Sequence, residues 1–381
     1  MKKQSYTKLL YRFCALTVAV LVFAGSIAWS AEEIPVSLSD EAFWKMVTDF
    51  SEPGGSFPSD DFVSNESGFQ AVLPSLVVDR RPGGIYLGVG PEQNFTYISA
   101  LKPRMAFIFD IRRQNMVEHL VYKALFELSS DRVDFLSRLL SRPKPQNVPE
   151  NASVEVLVDS FNDLSGEDAL FQANVHDVKE QLMEKHGFAL TPADEESIGS
   201  IMSAFYIAGL QLTYLGPRRV NSTLPTYEQL LKDTDSDEVH RGYLATEENF
   251  KTLKEFEKSN LLVPIVGDFA GPTAVRAIGA YLKERNATVT AFYTSNVEQY
   301  LFGNDSWMTF LGNIGALPLD SKSVIIRALL KRPDGTYAAS PRIDVRTPVL
   351  WDLKLFPIGD LLEAFASGKI LSYYDAIQNP L

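Results

Sequence analysis

Two glycines and a carboxylate define the chemistry open to this sequence. Gly88-Val89-Gly90 follows the apolar run Ile85 to Leu87, and Asp110 closes a second apolar run, Met105 to Phe109. A buried parallel strand, a glycine turn, a helix and a second strand ending in an acid read this way. Glycines let the backbone approach a ligand, and the acid can hold a ribose diol. Asn94 lies just past the same turn. Gly88, Gly90, Asn94 and Asp110 are therefore the expected cofactor-binding residues. Pro91 and Glu92 break the fuller glycine fingerprint, and Glu92 would set negative charge beside a phosphate. The alternative is a structural βαβ turn that holds no ligand.

A dinucleotide is thus disfavoured, and a phosphate-free ligand such as S-adenosylmethionine fits better. Other predicted strands also end in polar groups: Asp268 after Leu261 to Val266, and Ser295 to Glu298 after Val289 to Tyr293. In open α/β sheets, ligands bind outside the carboxyl ends of the strands. Asp268, Asn296 and Glu298 are the expected catalytic residues on that ground. Each could instead only cap a following helix. No Gly-x-Ser-x-Gly elbow and no His-Glu-x-x-His motif occurs, and His119, His176, His186 and His240 lie far apart. No metal site is expected. Asp233-x-Asp235-x-Asp237 lacks the glycine of a calcium loop, and Leu244 stands where its closing glutamate belongs.

The elements that must position these residues follow from periodicity. Ser39 to Phe50 has helical spacing, with Phe43, Met46, Val47 and Phe50 on one side. Ser51 to Phe62 is a loop by composition, read as a lid over the glycine turn. Phe69 to Leu76 is a helix that Ser64 or Asn65 would cap, with Glu66 in its first turn. Met116, Val117, Leu120, Val121, Ala124 and Leu125 mark the helix after Asp110. Arg142-Pro143-Lys144-Pro145 opens a helical insertion over residues 143–260. A strand over 323–329 and a helix over 358–365 stopped by Gly368 complete the second half.

The fold expected is α/β: a doubly wound, Rossmann-like sheet with a helical insertion. Its parts are an N-terminal lid and first half-domain over 31–142, the insertion, and a second half-domain over 261–381. Residues 1–30 read as a secretory signal peptide: Lys2, Lys3, Lys8 and Arg12 precede the apolar run Ala15 to Ile27, and Ala28 and Ser30 suit cleavage before Ala31. An uncleaved anchor is the alternative, though the run is short for a span. The single cysteine, Cys14, lies at the start of the apolar run. A mature chain without it has no disulfide and no thiol nucleophile. The formal net charge is −12 over 381 residues. Such a surface argues against nucleic acid and anionic lipid, and leaves a small molecule as the expected partner. The expected location is a bacterial periplasm or cell envelope, with no membrane span once the signal is removed.

Four blocks carry a resemblance. They are Ser51-Glu52-x-Gly54-Gly55-x-Phe57, Tyr86-Leu87-Gly88-Val89-Gly90-x-x-Gln93-Asn94, Val266-Gly267-Asp268-Phe269-Ala270-Gly271 and Phe292-Tyr293-x-Ser295-Asn296-Val297-Glu298-Gln299-Tyr300-Leu301. Together they resemble a family of uncharacterised bacterial exported proteins, one of them a spirochaete lipoprotein. That family has a Rossmann-like fold similar to class I S-adenosylmethionine-dependent methyltransferases. The resemblance implies the fold, S-adenosylmethionine as cofactor, and Asp110 as the acid that ends the second strand. Tyr86 stands where those enzymes carry an acid, two residues before Gly88. Three functions stay open: a methyltransferase-like enzyme, an exported protein that holds a small molecule in the crevice without catalysis, or an interaction protein whose crevice is vestigial. Tyr86 and the export signal favour the second or third.

Overall fold

The structure is a computed structural model and describes residues 33–78, 83–217, 223–332, 334–338 and 349–377. The predicted signal peptide and its cleavage point lie outside the described residues, as does the first residue of the turn that Pro333-Asp334-Gly335 predicts after the 323–329 strand. Residues 34–381 form one compact unit, and all the elements below belong to it.

Six strands build the sheet: β1 (Ile85–Gly88), β2 (Met105–Asp110), β3 (Leu262–Val266), β4 (Val289–Ser295), β5 (Val324–Lys331) and β6 (Leu350–Pro357). Their order is β3-β2-β1-β4-β5-β6. The first five run parallel, and β6 returns antiparallel to β5. This is a doubly wound, Rossmann-like order, with its switch point between β1 and β4. β1, β2 and β3 are buried along their whole length, as strands covered on both faces must be. Pro264 sits inside β3 without breaking it. Val266, two residues on and of the same parity, donates its N–H outward to Ser51 Oγ at 3.0 Å. The missing N–H of Pro264 therefore falls on the open edge, where proline is tolerated.

The helices are α1 (Asp40–Phe50), α2 (Leu73–Val78), α3 (Gln93–Leu101), α4 (Arg113–Leu128), α5 (Arg132–Leu140), α6 (Val154–Asp159), α7 (Asp168–Lys179), α8 (Pro192–Ala208), α9 (Tyr227–Leu231) and α10 (Glu247–Lys258). After β3 come α11 (Ala274–Glu284), α12 (Val297–Gly303), α13 (Trp307–Ile314), α14 (Ile358–Ala366) and α15 (Tyr373–Ala376). Strand alternation sorts them onto two faces. Phe107 packs against Phe50 of α1 and Tyr281 of α11. On the opposite face, Tyr86 and Tyr293 meet Tyr97 of α3. The segment from α6 to α10 adds its helices to α3, α4 and α5. His186 of that segment ties it down through Asp40 at 2.8 Å and Glu127 at 2.6 Å.

Two local expectations change. Neither Ser64 nor Asn65 caps the helix before β1. That helix starts as a 3-10 turn at Phe69, after Gly68 in the left-handed region, without a side-chain cap. Ser64 Oγ instead accepts the Glu66 N–H, and Glu66 turns into the core. No strand was expected over β6, although Leu353 is buried between less buried Asp352 and Lys354 and Leu355 follows buried in turn, a short alternation of the kind that marks a strand.

Candidate functional site

The glycine turn is held from behind. Asn94 Nδ2 donates to the carbonyls of Val89, Gly90 and Pro91 at 2.9, 3.2 and 2.8 Å, while Tyr86 donates its hydroxyl to Asn94 Oδ1 at 2.8 Å. His119, 1% exposed, hydrogen-bonds the Gly90 carbonyl through Nε2 at 2.9 Å. Burial holds its imidazole down at about 4, so the ring is neutral and donates. A Cβ on Gly88 would lie 2.0 Å from Asn94 Oδ1 and 2.9 Å from Tyr86. Gly88 is thus required by internal packing. Gly88→Ala should cost about 1–3 kcal/mol of stability, as overpacked cores do. Urea melts measure this, and an unchanged midpoint would remove the packing argument.

In front of the turn lies a pocket of about 310 Å³, at the lower end of the roughly 300–1000 Å³ usual for small-molecule sites. It opens at the carboxyl ends of β1 to β4. Gly90, Asp110, Gly267, Asp268, Ser295 and Asn296 line it from the sheet, Tyr300 from α12, and Tyr214 from the segment after α8. The loop over residues 51–66 supplies Ser56, Phe57, Asp61, Ser64, Asn65 and Glu66. That loop is pinned across the sheet edge. Glu52 N–H donates to Val266 O at 2.8 Å, and Gly55 N–H to Ile111 O at 2.6 Å. The Glu52 carboxylate accepts the N–H groups of Thr273 and Ala274 at 2.7 Å each, which caps α11 as an acid at a helix N-terminus does. The loop expected over the glycine turn therefore spans the ends of β2 and β3 as well.

One group of charges is shared. Asp110 takes Arg112 in a fork, with Nε to Oδ1 at 3.0 Å and Nη2 to Oδ2 at 2.8 Å; Oδ1 also accepts the Arg112 N–H at 2.9 Å. Arg112 Nη1 lies 3.1 Å from Asp61 Oδ2. Burial lifts the Asp61 carboxyl to about 6 despite that cation.

A second group centres on Glu66. Tyr293 donates its hydroxyl to Glu66 Oε2 at 2.5 Å, and Ser295 donates to Oε1. Gln93 Nε2 donates in turn to the Tyr293 hydroxyl at 3.1 Å. Burial raises the Glu66 carboxyl to about 7, against the pull of the two hydroxyls. Ser295 reaches it from a backbone with φ of 52°, where β4 slips register against β5. Such left-handed, non-glycine geometry persists only where surroundings enforce it.

The expected site residues divide. Gly90, Asp110, Asp268 and Asn296 line one pocket. Asp268 is exposed and accepts the Ala270 N–H at 2.8 Å. Asn296 precedes α12 without a side-chain capping bond. Gly88 and Asn94 lie behind the turn and are not among the lining residues. Glu298 is a correction. It is 1% exposed and forks with Arg327, whose Nη2 donates to Oε1 at 3.0 Å and whose Nε donates to Oε2. It serves the core and not the pocket. Glu92 is another: it is buried, its carboxyl raised by burial to about 8, and it accepts the Ser64 N–H. In neutral solution it carries its proton, so the charge expected beside a phosphate is absent.

Residues that sequence reasoning missed are Asp61, Glu66, Arg112 and Tyr214, while Ser295 was read only as part of the polar end of β4. Only the position of the loop before β1 hinted at the first two. Among the described residues, no cluster of His, Cys, Asp and Glu is arranged to hold a metal ion, and no helix is long and apolar enough to cross a membrane.

Fold and pocket together define a Rossmann-like α/β protein with a ligand-sized crevice at its switch point. The chain belongs to the family described as a domain of unknown function (DUF7790), which matches residues 62–369. That match contains Glu66, Asp110, Asp268 and Asn296. No curated protein matches the chain significantly.

Proposed function

We propose that the crevice binds a phosphate-free nucleoside, and that the protein is a methyltransferase-like enzyme using S-adenosylmethionine. The charge of the lining carries this reading. Asp61, Asp110 and Asp268 stand against Arg112 alone among the lining residues, even with Glu66 protonated, and Arg112 is already shared by two of them. A phosphate would meet net repulsion, whereas a cation would be drawn in. The position of Asp110 at the end of β2 suits a ribose diol. Its Oδ1 is fully engaged, while Oδ2 accepts from Arg112 Nη2 and retains a lone pair for one ligand hydroxyl. Phe57, Tyr214 and Tyr300 offer aromatic surface to a flat base. S-Adenosylmethionine supplies a sulfonium-bound methyl group; the chain supplies the diol acceptor and the acidic walls.

The test is calorimetry with S-adenosylmethionine and S-adenosylhomocysteine, with ATP as the phosphate control. Asp110→Asn keeps the side-chain shape and removes the charge. A charge-assisted contact is worth about 1.5–3 kcal/mol, so affinity should fall roughly ten- to a hundredfold. Unchanged affinity in the variant would remove Asp110 from the site.

A second reading has its own support. The basic and apolar pattern of residues 1–30 reads as an export signal, and S-adenosylmethionine is a cytoplasmic metabolite. In that reading the protein is an exported bacterial envelope protein that holds a small molecule without catalysis. Heat on nucleoside binding, with no S-adenosylhomocysteine formed in any extract, favours it.

A further inference from the structure

Of the acids that line the pocket, Asp110 and Asp61 face Arg112, and Asp268 is exposed. Glu66 differs. It is 1% exposed yet lines the pocket, and its partners among the described residues are the hydroxyls of Tyr293 and Ser295. The groups packed around it are neutral in physiological solution: Tyr293 and Ser295 on β4, Tyr86 on β1, and Tyr97 and Gln93 on α3. A buried carboxyl without a cation is costly to ionise. The hydroxyls nevertheless orient its two oxygens, one from a strained backbone at Ser295.

We propose that Glu66 receives the cationic group of the ligand, an ammonium or a sulfonium, and gives up its proton as that cation seats. The O–H bond of the carboxyl breaks, its electron pair stays on the carboxylate, and the proton passes to the buffer. In the acid form the Glu66 O–H finds its acceptor in Ser295 Oγ, because the Tyr293 hydroxyl already accepts from Gln93; once the proton leaves, the Ser295 hydroxyl turns to donate and the heavy atoms stay in place. The inference rests on the reading of the ligand as a cation, but not on its being a nucleoside.

Calorimetry of the full chain in two buffers of unlike ionisation heat tests it. The probes are S-adenosylmethionine and trimethylsulfonium, with wild type and Glu66→Gln. A carboxyl held at about 7 should release about half a proton per bound cation at pH 7, and affinity should rise roughly tenfold from pH 6 to pH 8. Glu66→Gln should lose both the release and the pH dependence. If trimethylsulfonium shows this behaviour and S-adenosylmethionine does not bind, the nucleoside reading falls and the role of Glu66 stands. If S-adenosylmethionine binds without proton release, or with release that persists in Glu66→Gln, the role of Glu66 is overturned and the nucleoside reading stands. Binding of neither cation overturns both.

Discussion

Glu298→Ala lowers the stability of the folded protein by about 3–5 kcal/mol, the range for breaking one side of a buried ion pair. Arg327 is 1% exposed on a central position of β5. Its guanidinium forks onto Glu298, lies 4.6 Å from the centre of the Phe356 ring and donates to Ala376 O at 2.9 Å. Removing the carboxylate leaves that cation desolvated and unpaired. Replacing both partners with methionine should recover much of the loss, because an apolar pair has no charge to strand. Urea melts of the two variants read this directly. A Glu298→Ala protein of normal stability that fails to bind ligand would restore Glu298 to the pocket and refute its placement in the core.

Stability should also fall as the solution is made more alkaline from about pH 5 to pH 8. Burial raises Glu92 and Glu257 to about 8 and Glu66 to about 7, and lifts Glu118 well above its usual range. An unfolded glutamate loses its proton near pH 4.3. Between that point and the raised value, the folded chain binds more protons than the unfolded one. The stabilising contribution of each group is therefore complete below about pH 4 and is lost as pH rises through its folded value. The slope per group is about 1.4 kcal/mol per pH unit. Acids that are held low, such as Asp131 and Asp194, act the other way, and only at more acid pH. Glu92→Gln keeps an acceptor for the Ser64 N–H and should flatten the curve by one group's slope. Denaturant melts at four pH values decide it: a curve that rises from pH 5 to pH 8, or a variant with the wild-type slope, contradicts the assignment.

The first three strands were legible because they are fully buried. Met105 to Phe109 and Leu262 to Val266 are unbroken apolar runs, which only a strand covered on both faces needs. Side-chain direction was less legible. Asn296 and Glu298 lie two residues apart at a helix start, about 200° around the axis. One faces the pocket and the other faces Arg327, and nothing local distinguishes them. Gly88 signalled close approach correctly, but the approaching group is Asn94 and not a ligand. Glu66 was hidden for a different reason. Its partner Ser295 is 229 positions away, and in isolation Ser64-Asn65-Glu66 has the composition of a helix cap. Burial alone turns that glutamate from a surface acid into the acid at the centre of the crevice.

The identity of the molecule held in the crevice decides between these readings. A native mass spectrum of the purified chain, mixed with equal amounts of S-adenosylmethionine and ATP, reads it most directly. The expected spectrum has a single adduct at the mass of the cationic nucleoside, weakened in Asp110→Asn and in Glu66→Gln. An ATP adduct, or a spectrum of bare protein only, would contradict a crevice built for a phosphate-free cation.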